Sequence, residues 1–318
     1  MKQTNFLKDF DKLESASLKW LKNCYKSGEE VIVKIHFGER GNKTALFPRD
    51  VAPIISAMKK LGLKPILTDT PVVYNSPRRT ANGYKRVVIE RGYDKLAPFI
   101  IENKYIKVKA KSFTVDVAKT LAMAKNVLVI SHVKGHALAG FGGAVKNLAM
   151  GGVSKFSKGK QHLYCRPKFV KDCRGCGTCA ELCPAKAIEM VKGKAKVHKL
   201  KCWGCSICQI HCPYQCLAPW RATFDDLLGQ AAAAVIKKLP KKTFYINIIK
   251  NITEGCDCEV DSGKIISPDI GILFSDDPIV IDRESIELIN RKSKKNVFEV
   301  QSRKDPMLQI DYCEKYLE

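Results

Sequence analysis

The sequence predicts an α/β protein in which a host domain with a mostly parallel sheet is interrupted by a small α+β insert. The host domain is predicted from apolar strands that alternate with amphipathic helices, a pattern that produces βαβ units and a parallel sheet. The insert is predicted from residues 173–213, where eight of the 14 cysteines fall into two runs of identical spacing. Because the α/β pattern resumes after these runs, the cysteine-rich segment interrupts one domain.

Two prolines mark the borders of the insert. Pro167 precedes the cysteine runs and Pro219 follows them. We therefore assign residues 167–219 to the insert, and residues 1–166 and 220–318 to the two parts of the host domain. A chain of 318 residues is long enough for about two domains.

The first part of the host domain alternates between strands and helices. Residues 31–35 and 65–68 are apolar strands, and Pro48 begins an amphipathic helix between them that ends at Gly62. Residues 127–130 form another fully apolar strand. The remaining predicted elements are helices over 6–25, 81–91 and 115–125 and a strand over 105–108.

Two loops after predicted strands are candidates for anion binding. The loop over 69–83 follows the carboxyl end of a strand and presents Asn75, Arg78 and Arg79, although it also has the composition of an ordinary surface loop. Residues 140–143 form a Gly-rich turn that begins a helix over 144–150, with Lys146 in its first turn. A helix N-terminus of this kind favours a bound anion.

The α/β pattern continues after the insert. Residues 187–190 and 195–198 predict a hairpin within the insert itself. The second part of the host domain is predicted to contain helices over 224–238, 283–290 and 306–316, and strands over 243–249, 270–274 and 279–281.

The chain is strongly basic. It contains 55 lysines and arginines against 32 acidic residues, which gives a formal net charge of +23. This charge favours anionic partners, namely acidic electron carriers, small carboxylates or phosphates, and nucleic acid. Because the lysines are spread along the chain without interleaved aromatic residues, we favour a basic surface over a nucleic-acid groove. No apolar run is long enough to span a membrane.

Each cysteine run has the spacing C-x₂-C-x₂-C-x₃-C-P. Structural zinc sites use C-x₂-C pairs separated by a longer spacer, and zinc chemistry does not require a third cysteine and a proline in each run. The sequence shows no signal-peptide pattern, so we expect a reduced cytoplasmic compartment in which disulfides are disfavoured. The runs contain Cys173, Cys176, Cys179 and Cys183, then Cys202, Cys205, Cys208 and Cys212.

The doubled run resembles the ligand pattern of a bacterial two-cluster ferredoxin. The resemblance implies a ferredoxin-like insert that binds two [4Fe–4S] clusters, each taking its fourth ligand from the other run. The implied ligand sets are Cys173, Cys176, Cys179 and Cys212 for one cluster, and Cys202, Cys205, Cys208 and Cys183 for the other.

Histidines follow several of the predicted strands. Because the carboxyl ends of parallel strands share one edge of a sheet, we expect these side chains to converge with the Cys256-Asp257-Cys258 segment in one pocket. Histidine and aspartate suit acid–base chemistry, and histidine with thiolate suits a soft or borderline transition-metal ion. The candidate catalytic residues are His36, His132, Lys134, His136 and Asp257, and the candidate ligands of a second metal site are His132, His136, His162, Cys256 and Cys258.

The segment from Ser131 to Met150, followed by Gln161-His162 and the two cysteine runs, resembles the iron–sulfur members of the family known as domain of unknown function 362. The resemblance continues through Cys256-Asp257-Cys258 to about Ile289 and begins near Val31. It implies an α/β domain with a ferredoxin insert and cluster binding, and it does not specify a reaction.

Together these features predict an iron–sulfur protein that exchanges electrons with a substrate or a metal in a His/Cys-lined pocket, as in an oxidoreductase. We expect an electron-carrier protein as partner and an anionic small molecule as substrate. The first alternative is a non-redox binding protein in which the clusters only stabilise the insert. Nucleic-acid binding, which rests on charge alone, is a weaker alternative.

Overall fold

A central β-sheet organises the computed structural model, which describes residues 4–318; residues 1–3 of the predicted host segment lie outside the described residues. The strands are β1 (Thr4–Leu7), β2 (Glu30–Ile35), β3 (Lys64–Asp69), β4 (Phe99–Ile101), β5 (Tyr105–Lys109), β6 (Thr114–Ala118), β7 (Val127–His132), β8 (Lys134–His136), β9 (Gly140–Gly142), β10 (Pro167–Phe169), β11 (Ile188–Val191), β12 (Lys194–Val197), β13 (Leu217–Pro219), β14 (Thr243–Ile249), β15 (Ile252–Thr253), β16 (Ile265–Ser267) and β17 (Gly271–Ser275). The helices are α1 (Leu13–Cys24), α2 (Pro48–Lys60), α3 (Ala81–Glu90), α4 (Lys119–Ala122), α5 (Ala144–Gly151), α6 (Lys155–Tyr164), α7 (Thr178–Glu181), α8 (Ile207–Ile210), α9 (Phe224–Ile236), α10 (Pro278–Ser293), α11 (Val297–Ser302) and α12 (Leu308–Leu317).

Within residues 4–318 the main sheet has seven strands in the order β1-β17-β14-β7-β2-β3-β4. Strands β14, β7, β2, β3 and β4 run parallel to one another. Strand β17 is antiparallel to both of its neighbours, β1 and β14. The prediction of an α/β protein with a mostly parallel sheet is therefore confirmed.

Helices cover both faces of this sheet. Alternate residues of β2 enter different cores: Ile32 packs in one cluster with α5, α9 and α12, whereas Val31 and Val33 pack in another with α1, α2 and α3. This alternation follows from the pleat of a strand, which directs successive side chains to opposite faces. Burial on both faces is the reason that β2 and β7 are almost continuously apolar in sequence.

Two predicted helices are shorter than expected, and one predicted strand is wrong. The helix expected over 6–25 begins only at Leu13, because Phe6 lies in the edge strand β1, which pairs with β17. Residues 114–118 form a strand of a separate two-stranded sheet with β5, so only Lys119–Ala122 of the expected helix over 115–125 is helical. The strand expected over 279–281 is the first turn of α10, where the Asp277 side chain accepts hydrogen bonds from the N–H groups of Ile279 and Val280.

The cysteine-rich segment begins and ends on one strand pair. β10 pairs antiparallel with β13, and Pro167 lies opposite Pro219. The main sheet joins β7, from before this pair, to β14, from after it. Strands β11 and β12 form the predicted hairpin. No helix among the described residues is both long and apolar enough to cross a membrane.

Candidate functional site

A cavity of about 310 Å³ lies at the carboxyl ends of three parallel strands. Its wall contains His36, which directly follows β2, Asp69, the last residue of β3, and His132, the last residue of β7. The fold thus brings together residues that are far apart in sequence, because the strands that precede them are neighbours in the sheet. The other predicted residues that line this cavity are Lys134, His136, His162, Cys256 and Cys258.

Asp257 lies buried behind this wall and organises two of the predicted catalytic residues. Its Oδ2 atom is 2.8 Å from Nδ1 of His132 and 2.9 Å from Nζ of Lys134. Burial raises the pKa of Asp257, but His132 and Lys134 lower it more strongly, and its pKa lies well below its usual value. The carboxylate therefore stays ionised and holds both side chains in place.

His132 has no ring nitrogen left for a metal ion. Its Nε2 atom lies 2.7 Å from the carbonyl oxygen of Lys250, while Nδ1 faces Asp257. Both neighbours are hydrogen-bonding groups, so both ring nitrogens are already occupied. His132 is thus separate from the metal-binding group that the sequence predicts.

His36 is neutral and faces two donors. Nδ1 accepts from the N–H of Gly38 at 3.1 Å, and Nε2 lies 2.8 Å from Nη1 of Arg78. Burial, followed by the charge of Arg78, lowers the pKa of His36 to about 3. Arg78 itself is fully buried and forms an ion pair with Glu39 at 2.9 Å. The expectation that Arg78 contacts an anion is therefore wrong, because its charge is already neutralised inside the protein.

The predicted anion site at the start of α5 is also wrong. The N–H groups of Ala144 and Val145 donate to the carboxylate of Asp282 at 2.7 and 2.8 Å. A side chain of the same protein therefore occupies this helix N-terminus. Burial raises the pKa of Asp282 to about 6. Sequence reasoning could not locate this contact, because the partners are 138 positions apart.

Two buried lysines near the cavity were missed. Lys34 forms an ion pair with Asp69 at 3.1 Å and donates to Asn147 at 2.5 Å. Lys158 donates to the Thr70 hydroxyl at 2.8 Å and the Pro71 carbonyl at 2.6 Å, and burial lowers its pKa to about 7. A lysine inside the apolar run of β2 was a detectable signal for Lys34, whereas nothing in the local sequence distinguishes Lys158.

His136, Cys256 and Cys258 lie close together. Their ligand-type atoms are all within 4.8 Å of one another, which is the arrangement that a metal ion requires. However, Nδ1 of His136 faces the N–H groups of Leu138 and Ala139, at 3.2 and 3.1 Å. A neutral imidazole that binds metal through Nε2 carries its proton on Nδ1, which would place N–H against N–H. Of the five predicted ligands, three are therefore brought together, and their hydrogen bonds do not fit a metal ion.

His162 lies in a different part of the cavity wall. Its ring stacks on Phe224 with 5.0 Å between the ring centroids, and Nδ1 donates to the Trp203 carbonyl at 3.3 Å. Burial lowers its pKa to about 4. It therefore helps to join helix α6 to the cysteine-rich segment.

The eight cysteines of the two runs line two smaller cavities. In each cavity, three cysteines come from one run and the fourth comes from the other run. The first set is Cys173, Cys176, Cys179 and Cys212, and the second is Cys202, Cys205, Cys208 and Cys183. Cys216 also lines the first cavity, but its thiol donates to the Asp172 carbonyl at 3.0 Å.

Trp203 connects the cysteine-rich segment to the 310 Å³ cavity at the sheet edge, which we call the main cavity. It follows Cys202 and lines both the main cavity and the second four-cysteine cavity. The buried side chain of Lys304 holds the same region in place, since its Nζ donates to the carbonyls of Leu138 at 2.7 Å and Cys205 at 3.2 Å. The second four-cysteine cavity is thus the one beside the main cavity.

The fold and this arrangement define a cysteine-rich α/β protein with a cavity of ligand size at the carboxyl edge of its sheet. The chain belongs to the family described as Domain of unknown function (DUF362), which matches residues 31–287. The resemblance predicted from the sequence is thereby confirmed for the family. No curated protein matches the chain.

Two solved structures resemble the chain at low identity. A Thermotoga maritima protein determined by the Northeast Structural Genomics Consortium is 10% identical with a TM-score of 0.50, and the match covers 92% of this chain and 61% of that one. The lactate racemase apoprotein from Thermoanaerobacterium thermosaccharolyticum is 12% identical with a TM-score of 0.40, and the match covers 91% and 58%. The chain therefore spans about three fifths of each of these proteins. The first likeness supports the α/β fold.

Proposed function

We propose that this protein is a redox protein that holds two [4Fe–4S] clusters in residues 167–219 and exchanges electrons with an acceptor in the main cavity. The proposal is supported by the two four-cysteine sets, each of which combines three cysteines of one run with one of the other. This is the crossed arrangement that the ferredoxin-like spacing implies. When bound, such clusters supply one-electron transfer.

The surroundings of the cysteines suit thiolate ligands. Backbone N–H groups donate to cysteine sulfurs in both sets: Ala195 to Cys173 at 3.3 Å, and Ala187 to Cys183 at 3.2 Å. Such hydrogen bonds stabilise the negative charge of a sulfur ligand and help to set a reduction potential. Hairpin β11-β12 supplies the first of these donors, so we infer that it both covers and tunes this end of the insert.

The position of Trp203 is the observation that carries the electron-transfer part of the proposal. This residue is shared by the wall of one four-cysteine cavity and the wall of the main cavity. Two clusters in tandem would exceed what a structural staple needs, and this residue gives the second cluster a direct neighbour in the cavity. The non-redox alternative offers no reason for that contact.

We further propose that an acidic electron carrier docks beside the first four-cysteine cavity, at the exposed Cys176. We call this surface the carrier face and define it by exposed apolar side chains and nearby cations: Phe169, Val170, Tyr214, Lys168, Lys171 and Arg174. Among residues 4–318, none of its three cations forms a salt bridge. Unpaired positive charge around an apolar centre favours association with an acidic partner.

Reoxidation kinetics test the proposed function. The chain is purified anaerobically, reduced, and mixed with the low-mass fraction of a cell extract while its visible absorbance is followed. We expect the extract to accelerate reoxidation, with a smaller effect in Trp203→Ala. Trp220→Ala is the matched control, because both indoles are 49% exposed and Trp220 does not line the main cavity.

The same experiment separates the alternatives. If the protein contains iron but its reoxidation rate is unchanged by the extract, the alternative of a binding protein with structural clusters is favoured. Salt-dependent retention on DNA that persists without iron would favour nucleic-acid binding.

A further inference from the structure

The Cys256-Asp257-Cys258 segment places two cysteine thiols in the wall of the main cavity, and their sulfurs have different surroundings. The N–H of Cys258 donates to Sγ of Cys256 at 3.3 Å, and Nζ of Lys146 lies 3.7 Å from the same sulfur. The Cys258 thiol and the His136 ring present their ligand-type atoms within 4.8 Å of it. Because Nδ1 of His136 accepts backbone N–H groups, its proton resides on Nε2, the nitrogen that is free to donate to sulfur.

The N–H of Cys258 and the ammonium of Lys146 favour the thiolate form at Cys256 over that at Cys258. The hydrogen bond from Cys258, followed by the charge of Lys146, outweighs burial and holds the pKa of Cys256 well below its usual value. The same hydrogen bond, together with burial, raises the pKa of Cys258 well above its usual value. A thiolate beside a protonated thiol is the resting form of a dithiol that performs thiol–disulfide exchange.

The two cysteines can also form a disulfide. Residues two apart in sequence are separated by at most about 7 Å between their Cα atoms, which is within reach of disulfide geometry. Their sulfurs lie within 4.8 Å of each other. Both thiols line the same cavity, so a disulfide between them would face a bound small molecule.

We propose that Cys256 and Cys258 form a dithiol–disulfide couple that is reduced through the insert and in turn reduces a small anionic disulfide bound in the main cavity. This inference rests on the proposed function for its source of electrons. An anionic compound is favoured because Lys146 and Lys158 line the cavity and, among residues 4–318, neither forms a salt bridge, whereas the charge of Lys134 is balanced by Asp257. A cavity of about 310 Å³ admits a small molecule and excludes a protein disulfide.

The proposed exchange consists of two successive attacks by sulfur. The Cys256 thiolate attacks one sulfur of the bound disulfide, forms a mixed disulfide, and expels half of the compound as a thiolate, which takes up a proton. Cys258 then loses its proton and attacks Sγ of Cys256, which forms the internal disulfide and expels the other half. Two electrons, delivered singly by a one-electron carrier protein through the insert, and one proton restore the Cys256 thiolate and the Cys258 thiol.

Thiol trapping on the full chain tests the couple. Anaerobic protein is equilibrated in dithiothreitol buffers of graded potential, alkylated, and analysed by peptide mass spectrometry. We expect Cys256 and Cys258 to become protected together in a single two-electron transition. Cys24 and Cys313 are buried single thiols and serve as controls whose alkylation after unfolding stays constant. Independent titration of Cys256 and Cys258, or no protection at any potential, would overturn the proposal.

Cys258→Ser tests the order of attack and the choice of compound. This variant should retain a mixed disulfide on Cys256, formed about tenfold faster with dianionic dithiodiglycolate than with dicationic cystamine. Equal rates would overturn the anionic specificity, and an adduct on neither compound would overturn the role of Cys256. Stoichiometric zinc or nickel that is lost in Cys258→Ser would instead show a metal site.

Failure of this couple and failure of the proposed function are distinguishable. Protein with iron but without the paired transition refutes the couple and leaves cluster binding intact. Protein without iron refutes the proposed function, and a paired transition in that protein would support only the disulfide chemistry.

Discussion

Cys183 provides a sharp test of how the cysteines are divided between the two proposed clusters. By sequence it belongs with Cys173, Cys176 and Cys179, yet it lines the cavity formed by the other run. Cys183→Ser should therefore damage the cluster beside Trp203 and spare the one at the carrier face. A division that followed sequence order would give the opposite result.

The expected loss of iron follows from one cluster in each four-cysteine cavity. Each [4Fe–4S] cluster contains four irons, so the iron content should fall from about eight to about four per chain. Emission from Trp203 identifies the cluster that is lost, because this residue directly follows Cys202. Its emission should rise in Cys183→Ser, where the neighbouring quencher is absent, and should stay low in Cys212→Ser.

Cys216→Ser is the matched control. Cys216 lines the first four-cysteine cavity, but its thiol donates to a backbone carbonyl, so about eight irons should remain. The reasoning is refuted if Cys183→Ser keeps Trp203 quenched while Cys212→Ser releases it. It is also refuted if Cys216→Ser loses as much iron as Cys183→Ser.

Three further predictions concern the carrier face, Asp282 and the backbone beneath the cavity. The charge reversal K168E/K171E/R174E should weaken binding of an acidic ferredoxin by about tenfold or more at low salt, measured by calorimetry. The control K237E/K238E/K241E reverses three charges on the host domain and should leave the affinity within about twofold. Equal losses of affinity in the two variants would contradict a specific carrier face. Because the pKa of Asp282 is raised to about 6, the stability that its proton confers is present below its unfolded pKa and is lost as pH rises through about 6. The unfolding free energy, measured by urea denaturation, should therefore fall by about 1 kcal/mol between pH 5 and 7 because of this group. Asp282→Asn should lose this part of the pH dependence, and an unchanged dependence of the unfolding free energy on pH would contradict the assignment. Gly135→Ala would place a Cβ 2.4 Å from the Glu254 carbonyl oxygen and should lower the unfolding free energy by about 2 kcal/mol. In the control Gly159→Ala the new Cβ meets no atom closer than 3.5 Å, and the unfolding free energy should fall by less than about 1 kcal/mol. Equal shifts of the melting temperature in the two variants would count against the clash.

The sequence predicted the parts of this fold that depend on local patterns. The apolar runs of β2, β7 and β14 predicted buried parallel strands because each run is covered on both faces. The pattern was ambiguous over 279–281, where three apolar residues suited a strand as well as a helix. The Asp277-Pro278 pair was the better signal, since an Asp cap followed by proline at the first helical position is typical of a helix N-terminus.

The candidate site was predictable in location and less so in detail. Strand order brings His36, His132 and the segment containing Cys256 to one edge, and topology alone supported that expectation. The role of each side chain depends on partners that are distant in sequence. Asp257 bonds to His132 across 125 positions, and Lys250 supplies the second acceptor for the same ring. Such contacts cannot be read from the local sequence. It therefore could not distinguish a histidine whose ring nitrogens are both hydrogen-bonded from one that is free to bind a metal ion.

The central claim is that the insert holds two clusters of the [4Fe–4S] type, and low-temperature electron paramagnetic resonance of the reduced protein, with iron and sulfide quantified on the same sample, tests it most directly. Protein purified anaerobically should contain about eight irons and about eight sulfides per chain. Reduction should produce a rhombic signal that is broadened because the two paramagnets are close. Zinc in place of iron, about four irons at full occupancy, or a single unbroadened signal would contradict the account.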